Sequence, residues 1–160
     1  MASKYFKWRH WYCKRYWKYY CGAGNDIITA NSSVNELQGG AGSDTLSGGD
    51  GKDIINGYYT NQSESSVEYD TVSYSYITSK AVAIDLTAGT AVVDSNDSDT
   101  LISIENAIGG SLADIITGSA DINTLEGGAG NDTFISSLGN DYIYGGNVTG
   151  ITHTDSQTTG

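Results

Sequence analysis

A nine-residue period is the feature of this sequence that most restricts how the chain can fold. Four consecutive nonapeptides begin at residue 21, and four more begin at residue 109. In every unit the sixth residue is Asp or Asn, and the eighth residue is apolar. The sixth residues are Asp26, Asn35, Asp44, Asp53, Asp114, Asn123, Asp132 and Asp141. The eighth residues are Ile28, Leu37, Leu46, Ile55, Ile116, Leu125, Phe134 and Ile143.

This constant phase distinguishes a repeat protein from a flexible linker. The chain has 21 Gly and no Pro, and a linker rich in Gly and Asp would share that composition. A linker, however, has no physical reason to keep one class of residue at the sixth position and another at the eighth. A fixed period of this length is typical of solenoids, in which stacked units bury a continuous core.

The residue types within each unit suit a cation-binding turn followed by a short strand. Glycine at positions one, two and four permits a positive φ and lets backbone carbonyls converge. Aspartate at position six adds a hard anionic oxygen, which suits Ca²⁺ with its about six to eight oxygen ligands. The last three residues predict a strand whose central side chain points inward, because side chains alternate along a strand. The glycines expected to shape these turns are Gly22, Gly24, Gly39, Gly42, Gly48, Gly51, Gly127 and Gly130.

The units follow the pattern G-G-x-G-x-D-x-U-x, in which U is apolar, and units 39–47, 48–56 and 127–135 match it at every position. Over residues 21–144 the chain therefore resembles the RTX, or hemolysin-type, calcium-binding family. The resemblance implies an all-β fold: a parallel β-roll, or β-solenoid, of two four-nonapeptide arrays with a strand-rich spacer. It also implies that Ca²⁺ is the cofactor.

The resemblance further implies a coil of two nonapeptides, so that loops 18 residues apart stack on each other. Each stacked pair is expected to hold one ion between adjacent coils. The pairs are Asp26 with Asp44, Asn35 with Asp53, Asp114 with Asp132, and Asn123 with Asp141. We expect firmer ions at the first and third pairs, because the loops that end in Asn have fewer glycines and fewer charged ligands. Asn35 and Asn123 equally fit a capped turn without metal, since asparagine satisfies its own backbone in turns.

The predicted core is thin, and this couples folding to the metal. Eight inward apolar side chains are few for two arrays, and stacking carboxylates between coils is unfavourable without a cation. We therefore expect a chain that is largely disordered at low Ca²⁺ and that folds at extracellular levels.

By the same resemblance, such a module belongs to a secreted, extracellular bacterial protein. Its partners would be calcium ions and a type I secretion system, which reads a C-terminal signal and exports the chain unfolded. Two other functions stay open. One is a calcium-stiffened adhesive or ligand-binding protein, and the other is an accessory domain of a secreted hydrolase or epimerase.

Five segments are predicted along the chain. They are an atypical basic and aromatic segment (1–20), the first array (21–56), a strand-rich spacer (57–108), the second array (109–144) and a polar tail (145–160).

Within the spacer, apolar residues alternate with polar or small ones, and this period of two predicts strands. The alternating residues are Val72, Tyr74 and Tyr76 in one stretch, and Val82, Ile84 and Leu86 in another. Asp94, Asp97 and Asp99 fit either a further calcium loop or a solvated acidic turn, and the turn is favoured.

The motifs of common enzymes are missing, so the chain is not expected to be an enzyme. His10 and His153 are its only histidines, which leaves no histidine-rich zinc site and no H-E-x-x-H. G-x-S-x-G and P-loop motifs are also absent from the sequence. No stretch approaches the roughly 18 apolar residues of a transmembrane helix. Residues 1–20 also lack the apolar centre of a signal peptide.

Residues 1–20 differ in character from the rest. They hold six of the eight basic residues, all three Trp and no acidic residue, in a chain whose formal net charge is −11. They fit a membrane-surface helix or an aromatic-basic patch for nucleic acid, although they contain no Leu, Ile or Val. The interpretation that we favour is out-of-frame translation of a repeat, because a shift of one nucleotide turns each Trp codon into a Gly codon.

The charge and the cysteines add two further expectations. The acidic remainder, 21–160, is not expected to bind nucleic acid, because the phosphate backbone repels a negative surface. Cys13 and Cys21 fit either a disulfide or two free thiols.

Overall fold

Strands make up all the regular structure that the computed structural model describes. It describes residues 17–58, 68–135 and 138–146, and the backbone of residues 152–153. Fifteen strands and no helix lie in these ranges, which confirms the all-β prediction. The strands are β1 (Lys18–Tyr20), β2 (Ile27–Thr29), β3 (Glu36–Gly40), β4 (Thr45–Ser47), β5 (Ile54–Tyr58), β6 (Thr71–Ser73), β7 (Ala83–Asp85), β8 (Thr90–Asp94), β9 (Asp97–Ile102), β10 (Asn106–Ile108), β11 (Ile115–Thr117), β12 (Thr124–Glu126), β13 (Thr133–Ile135), β14 (Tyr142–Tyr144) and β15 (Thr152–His153). No helix that could span a membrane occurs among the described residues.

The chain winds as a coil between two sheets. One sheet has nine strands in the order β1-β3-β5-β9-β8-β7-β11-β13-β15, and the other has six in the order β14-β12-β10-β6-β4-β2. In both arrays successive strands alternate between the sheets, and strands 18 residues apart pair in parallel. Leu37 thus lies opposite Ile55, and Ile116 lies opposite Phe134. The predicted parallel β-roll is confirmed.

The core is a pair of side-chain rows between the two sheets. Ile28, Leu46, Val72, Ala107 and Leu125 come from the six-stranded sheet, and Tyr19, Leu37, Ile55, Leu101, Ala91, Ile84, Ile116 and Phe134 from the nine-stranded sheet. Seven of the eight apolar eighth-position residues are therefore buried as predicted. The remaining one, Ile143, is half-buried against the core in the edge strand β14.

The spacer belongs to the same roll as the arrays. β6 pairs in parallel with β4 and β10, which places Val72 between Leu46 and Ala107 in the core row. β7, β8 and β9 form an antiparallel meander within the nine-stranded sheet, a feature that the period does not predict. β9 joins β5 in parallel and β7 joins β11 in parallel. Both sheets consequently run without a break from the first array to the second.

The alternating stretches of the spacer form shorter strands than predicted. β6 ends at Ser73, after which a turn closes with a hydrogen bond from the Ile77 N–H to the Tyr74 carbonyl. The strand prediction is therefore wrong for Tyr74, which is buried in this turn, and for Tyr76, which is 38% exposed. In the second stretch the alternation holds, because Val82, Ile84 and Leu86 are all buried around β7.

The two ends of the described chain also add strands to the nine-stranded sheet. β1 pairs in parallel with β3 and buries Tyr19 opposite Leu37, so the last residues of segment 1–20 form a rung of the roll. β15, within the predicted polar tail, pairs in parallel with β13. The hypotheses for residues 1–16, including the Cys13–Cys21 disulfide, lie outside the described residues.

Candidate metal centre

The sixth-position residues line the two long edges of the roll, where the loops connect the sheets. On the first edge, loops 21–26, 39–44 and 118–123 lead from the nine-stranded to the six-stranded sheet. On the second edge, loops 30–35, 48–53, 109–114 and 127–132 lead back. In each loop the sixth residue directly precedes a strand, so strand pairing fixes its position relative to the next coil.

All four predicted pairs are brought together by one recurring hydrogen bond. The backbone N–H of the earlier residue donates to the Oδ1 atom of the carboxylate 18 residues later. These bonds run from Asp26 to Asp44 (2.7 Å), from Asn35 to Asp53 (2.7 Å), from Asp114 to Asp132 (2.9 Å) and from Asn123 to Asp141 (3.0 Å). Each edge therefore carries a ladder of carboxylates, one per coil, which we call the carboxylate ladder.

The ladder continues through the spacer, where the nonapeptide pattern does not predict it. On the first edge the Asp44 N–H donates to Asp70 Oδ1, and the Asp70 N–H donates to Glu105 Oε2, both at 2.8 Å. On the second edge the Asp53 N–H donates to Asp99 Oδ1 at 2.8 Å. Beyond it, the Val82 N–H donates to Asp114 Oδ1 at 2.7 Å, so Val82 occupies a rung without a carboxylate of its own.

A sequence signal for two of these additional members exists in half of the repeat. Asp70-Thr71-Val72 and Asp99-Thr100-Leu101 reproduce its D-x-U end without the glycine-rich beginning. The expectation of a solvated acidic turn is wrong for Asp97 and Asp99, which are 5% and 4% exposed. Cross-strand packing of β9 on β5 buries them, and that pairing spans more than forty residues of sequence.

The second oxygen of several ladder carboxylates is buried without a hydrogen-bond partner. These atoms are the Oδ2 atoms of Asp44, Asp53, Asp132 and Asp141. In the first three loops, Oδ2 points at the glycine in position one: a Cβ atom on Gly39, Gly48 or Gly127 would collide with it. Glycine at this position thus makes room for the carboxylate rather than for a special backbone angle.

Backbone carbonyls face the same places. A Cβ atom on Gly39 would lie 2.9 Å from the carbonyl oxygen of Gly57, on the next coil. A Cβ atom on Gly109 would lie 2.6 Å from both Asp114 Oδ2 and the Gly127 carbonyl oxygen. A carboxylate oxygen of one coil and a carbonyl oxygen of the next therefore converge at position one. This donor set fits Ca²⁺, which takes carboxylate and backbone carbonyl ligands.

Position-four glycines are required for the loop to close against its neighbour. Gly42 has a φ of 117°, and a Cβ atom on it would lie 2.7 Å from the Gly24 carbonyl oxygen. Gly24, Gly51 and Gly130 also have a positive φ. Gly22 is different, because a Cβ atom on it would meet nothing within 4 Å.

Side chains alone do not complete a metal cluster. Among the described residues, no three His, Cys, Asp or Glu side chains converge as a metal-binding group. Any cation on the ladder must therefore draw on backbone oxygens as well, which the convergence at position one supplies.

Comparison with known families decides what these loops are. The model of the family described as "RTX calcium-binding nonapeptide repeat (4 copies)" matches residues 29–58, 108–143 and 133–147. The chain carries RTX repeats. The predicted family and the predicted Ca²⁺ cofactor are thereby confirmed, and the protein is a calcium-binding module. A comparison with curated proteins finds no significant match.

Burial makes the RTX carboxylates costly to ionise in the absence of metal. Burial, together with smaller effects of neighbouring carboxylates, raises the pKa of Asp44 to about 6 and the pKa values of Asp53 and Asp70 to about 7. Burial also raises the pKa values of Asp99, Glu105 and Asp114. Each raised pKa means that the fold disfavours the charged form, and a bound cation would reverse this preference.

Asn123 satisfies its RTX loop with its own amide. Its Oδ1 atom accepts a hydrogen bond from the Ser119 N–H (2.6 Å), and its Nδ2 atom donates to the Glu105 carbonyl oxygen on the preceding coil (2.8 Å). The amide therefore bridges two coils directly, which supports the capped-turn alternative at this position. Asn35 makes only the first type of bond, from the Asn31 N–H, and its Nδ2 atom is buried without a partner.

Asp114 and Asp132 use their second oxygens differently within the same predicted pair. Asp114 Oδ2 accepts a 2.5 Å hydrogen bond from the Gly110 N–H, whereas Asp132 Oδ2 has no partner. The backbone thus satisfies part of Asp114 without metal.

Proposed function

We propose that this RTX module folds in response to Ca²⁺ outside the cell, as part of a secreted bacterial protein. The observation that carries the proposal is the set of buried carboxylate oxygens without partners on the ladder, at Asp44, Asp53, Asp132 and Asp141. A buried ionised group without a partner opposes folding, and a cation that binds only the folded chain removes that opposition.

The thin core makes this opposition decisive. The roll has only one inward side chain per strand in most rungs, so apolar burial per residue is low for a chain of this length. Metal-binding free energy then becomes folding free energy, because the stacked site does not exist in the unfolded chain.

The family context supports a sequence of events for this module. The chain would leave the cell unfolded through a type I secretion system, since cytosolic calcium is low, and would condense on release. The role is structural: the repeats bind calcium, and we propose that this chain is not itself an enzyme.

A calcium titration followed by far-UV circular dichroism tests the proposal. The purified chain should show little β signal in chelator and should gain it cooperatively at about 10⁻⁴–10⁻³ M Ca²⁺, the range of extracellular modules. Asp44→Asn should shift the titration to higher Ca²⁺. Glu126→Gln removes one exposed charge from the outer face of β12 and should leave it unchanged. An unchanged β signal between chelator and saturating calcium would overturn the proposal.

A further inference from the structure

The turn between β8 and β9 packs on loop 48–53 of the first array. The Ser98 N–H donates to the Gly51 carbonyl oxygen (2.9 Å), and the Thr100 N–H donates to the Asp53 carbonyl oxygen (2.8 Å). The Gly51 N–H in turn hydrogen-bonds the Asp97 carboxylate. Asp97 has no position in a nonapeptide, yet it covers this loop where a further repeat would otherwise stack.

Two carboxylate oxygens at this contact are buried and have no partner. They are Asp97 Oδ1 and Asp53 Oδ2. The two residues are 5% and 1% exposed, so water does not satisfy either atom. Asp99, between them in the ladder, is different: its Oδ2 atom accepts a 2.6 Å hydrogen bond from the Tyr74 hydroxyl.

The charges around the contact are mostly negative. Burial and the nearby charges of Asp99, Asp97 and Asp50 raise the pKa of Asp53. Burial and the charge of Asp50 likewise raise the pKa of Asp97.

The nearby lysines do not offset this charge. Lys80 forms its ion pair with Asp94 instead, on the exposed side of the turn. Lys52, on the loop itself, is exposed.

We propose that Asp97 and Asp53 bind a divalent cation between loop 48–53 and the β8–β9 turn, at a site outside the repeat pattern. Two hard anionic oxygens select Ca²⁺ or a similar oxygen-seeking ion, and backbone carbonyls or water supply the remaining ligands. The ion ties the antiparallel meander to the first array. The site goes beyond the proposed function, since it does not depend on whether the whole chain folds with calcium.

A matched pair of variants in the same turn tests the site. Asp97→Asn and Asp94→Asn remove the same charge three residues apart, but only Asp97 is buried and without a partner at one oxygen. Isothermal titration calorimetry with Ca²⁺ should count one ion fewer for Asp97→Asn than for wild type, and an unchanged number for Asp94→Asn. Equal stoichiometry and affinity in both variants would overturn the proposal.

Denaturant unfolding supplies a second reading and separates this site from the proposed function. In chelator, Asp97→Asn should unfold at the same or a higher midpoint than wild type, because it removes a buried charge; with calcium it should gain less. A variant that fails to fold even in saturating calcium argues against the site, since neutralising a cation ligand should not harm the metal-free fold. A wild-type chain already folded in chelator would contradict the proposed function, while the loss of one ion in Asp97→Asn would still support this site.

Discussion

The Tyr74 hydroxyl donates a 2.6 Å hydrogen bond to Asp99 Oδ2, and both side chains are buried. On the neighbouring rung of the same edge, Asp53 Oδ2 has no such partner. A tyrosine from the spacer thus satisfies one ladder carboxylate, where the nonapeptide loops leave the equivalent oxygen for a cation.

Replacing this tyrosine should destabilise the roll at every calcium concentration. Tyr74→Phe leaves a buried carboxylate oxygen unpaired, which costs about 1–3 kcal/mol. Denaturant unfolding in saturating calcium measures the loss.

Tyr76→Phe is the matched control for that change. Its hydroxyl donates to the Gly49 carbonyl oxygen from a partly exposed position, so we expect a smaller loss of about 0.5–1.5 kcal/mol. Equal losses in the two variants would show that the Asp99 contact has no special weight.

In chelator, the stability of the fold should fall as the pH rises. Burial raises the pKa of Asp44 to about 6 and the pKa of Asp70 to about 7, against about 3.9 in an unfolded chain. The folded state therefore binds more protons than the unfolded state between about pH 4 and 7, and protonation favours folding there. This contribution is complete below about pH 4 and is lost as the pH passes through 6 to 7.

Unfolding midpoints measured in chelator at pH 5 and pH 7.5 check this trend. The midpoint should be higher at pH 5, and saturating calcium should abolish or reverse the difference because it stabilises the ionised carboxylates. A midpoint that is higher at pH 7.5 in chelator would contradict the assigned direction.

Adding a methyl group at position one should displace a ladder carboxylate. Gly127→Ala places a Cβ atom against Asp132 Oδ2, and the resulting crowding should cost about 1–3 kcal/mol and weaken calcium binding. Gly22→Ala is the control, because its Cβ atom would meet nothing within 4 Å. Neither glycine has a positive φ, so the comparison isolates the contact with the carboxylate. Similar unfolding midpoints in calcium for both variants would contradict this role of Gly127.

Exchanging amide and carboxylate should move calcium dependence between rungs. Asn123→Asp loses the hydrogen bond to the Glu105 carbonyl oxygen and should destabilise the metal-free fold by about 1–3 kcal/mol, while calcium restores part of the loss. Asp132→Asn should do the reverse, stabilising the fold in chelator and reducing the gain from calcium. Unfolding midpoints with and without calcium measure both effects, and two variants with equal gains would count against the interpretation.

The repeat period predicts most of the roll and the spacing of its ladder. The match of Asp26 with Asp44 follows from counting 18 residues, because a regular coil turns sequence distance into spatial distance. The same count cannot find Asp99 beside Asp53, since the chain between them leaves the repeat and returns through an antiparallel meander. Alternation in the spacer predicts strands but not their direction or their ends, and a turn at Tyr74 therefore lies where a strand is predicted.

The burial of Asp97 depends on a contact that no local pattern encodes. Its own neighbours, Asn96 and Ser98, are typical of an exposed turn, and that is why a solvated turn is the natural expectation. Only the packing of the turn on loop 48–53 removes the carboxylate from water.

The meander also determines how the two arrays follow each other. β7 and β8 are two extra strands in one sheet, with no counterpart in the other. At about 4.8 Å per strand, one side of the roll is longer than its opposite by about 10 Å at this point. The stack therefore bends like an arch with its wedge at the centre, and the row of cation sites on the second edge is interrupted at the keystone, Val82.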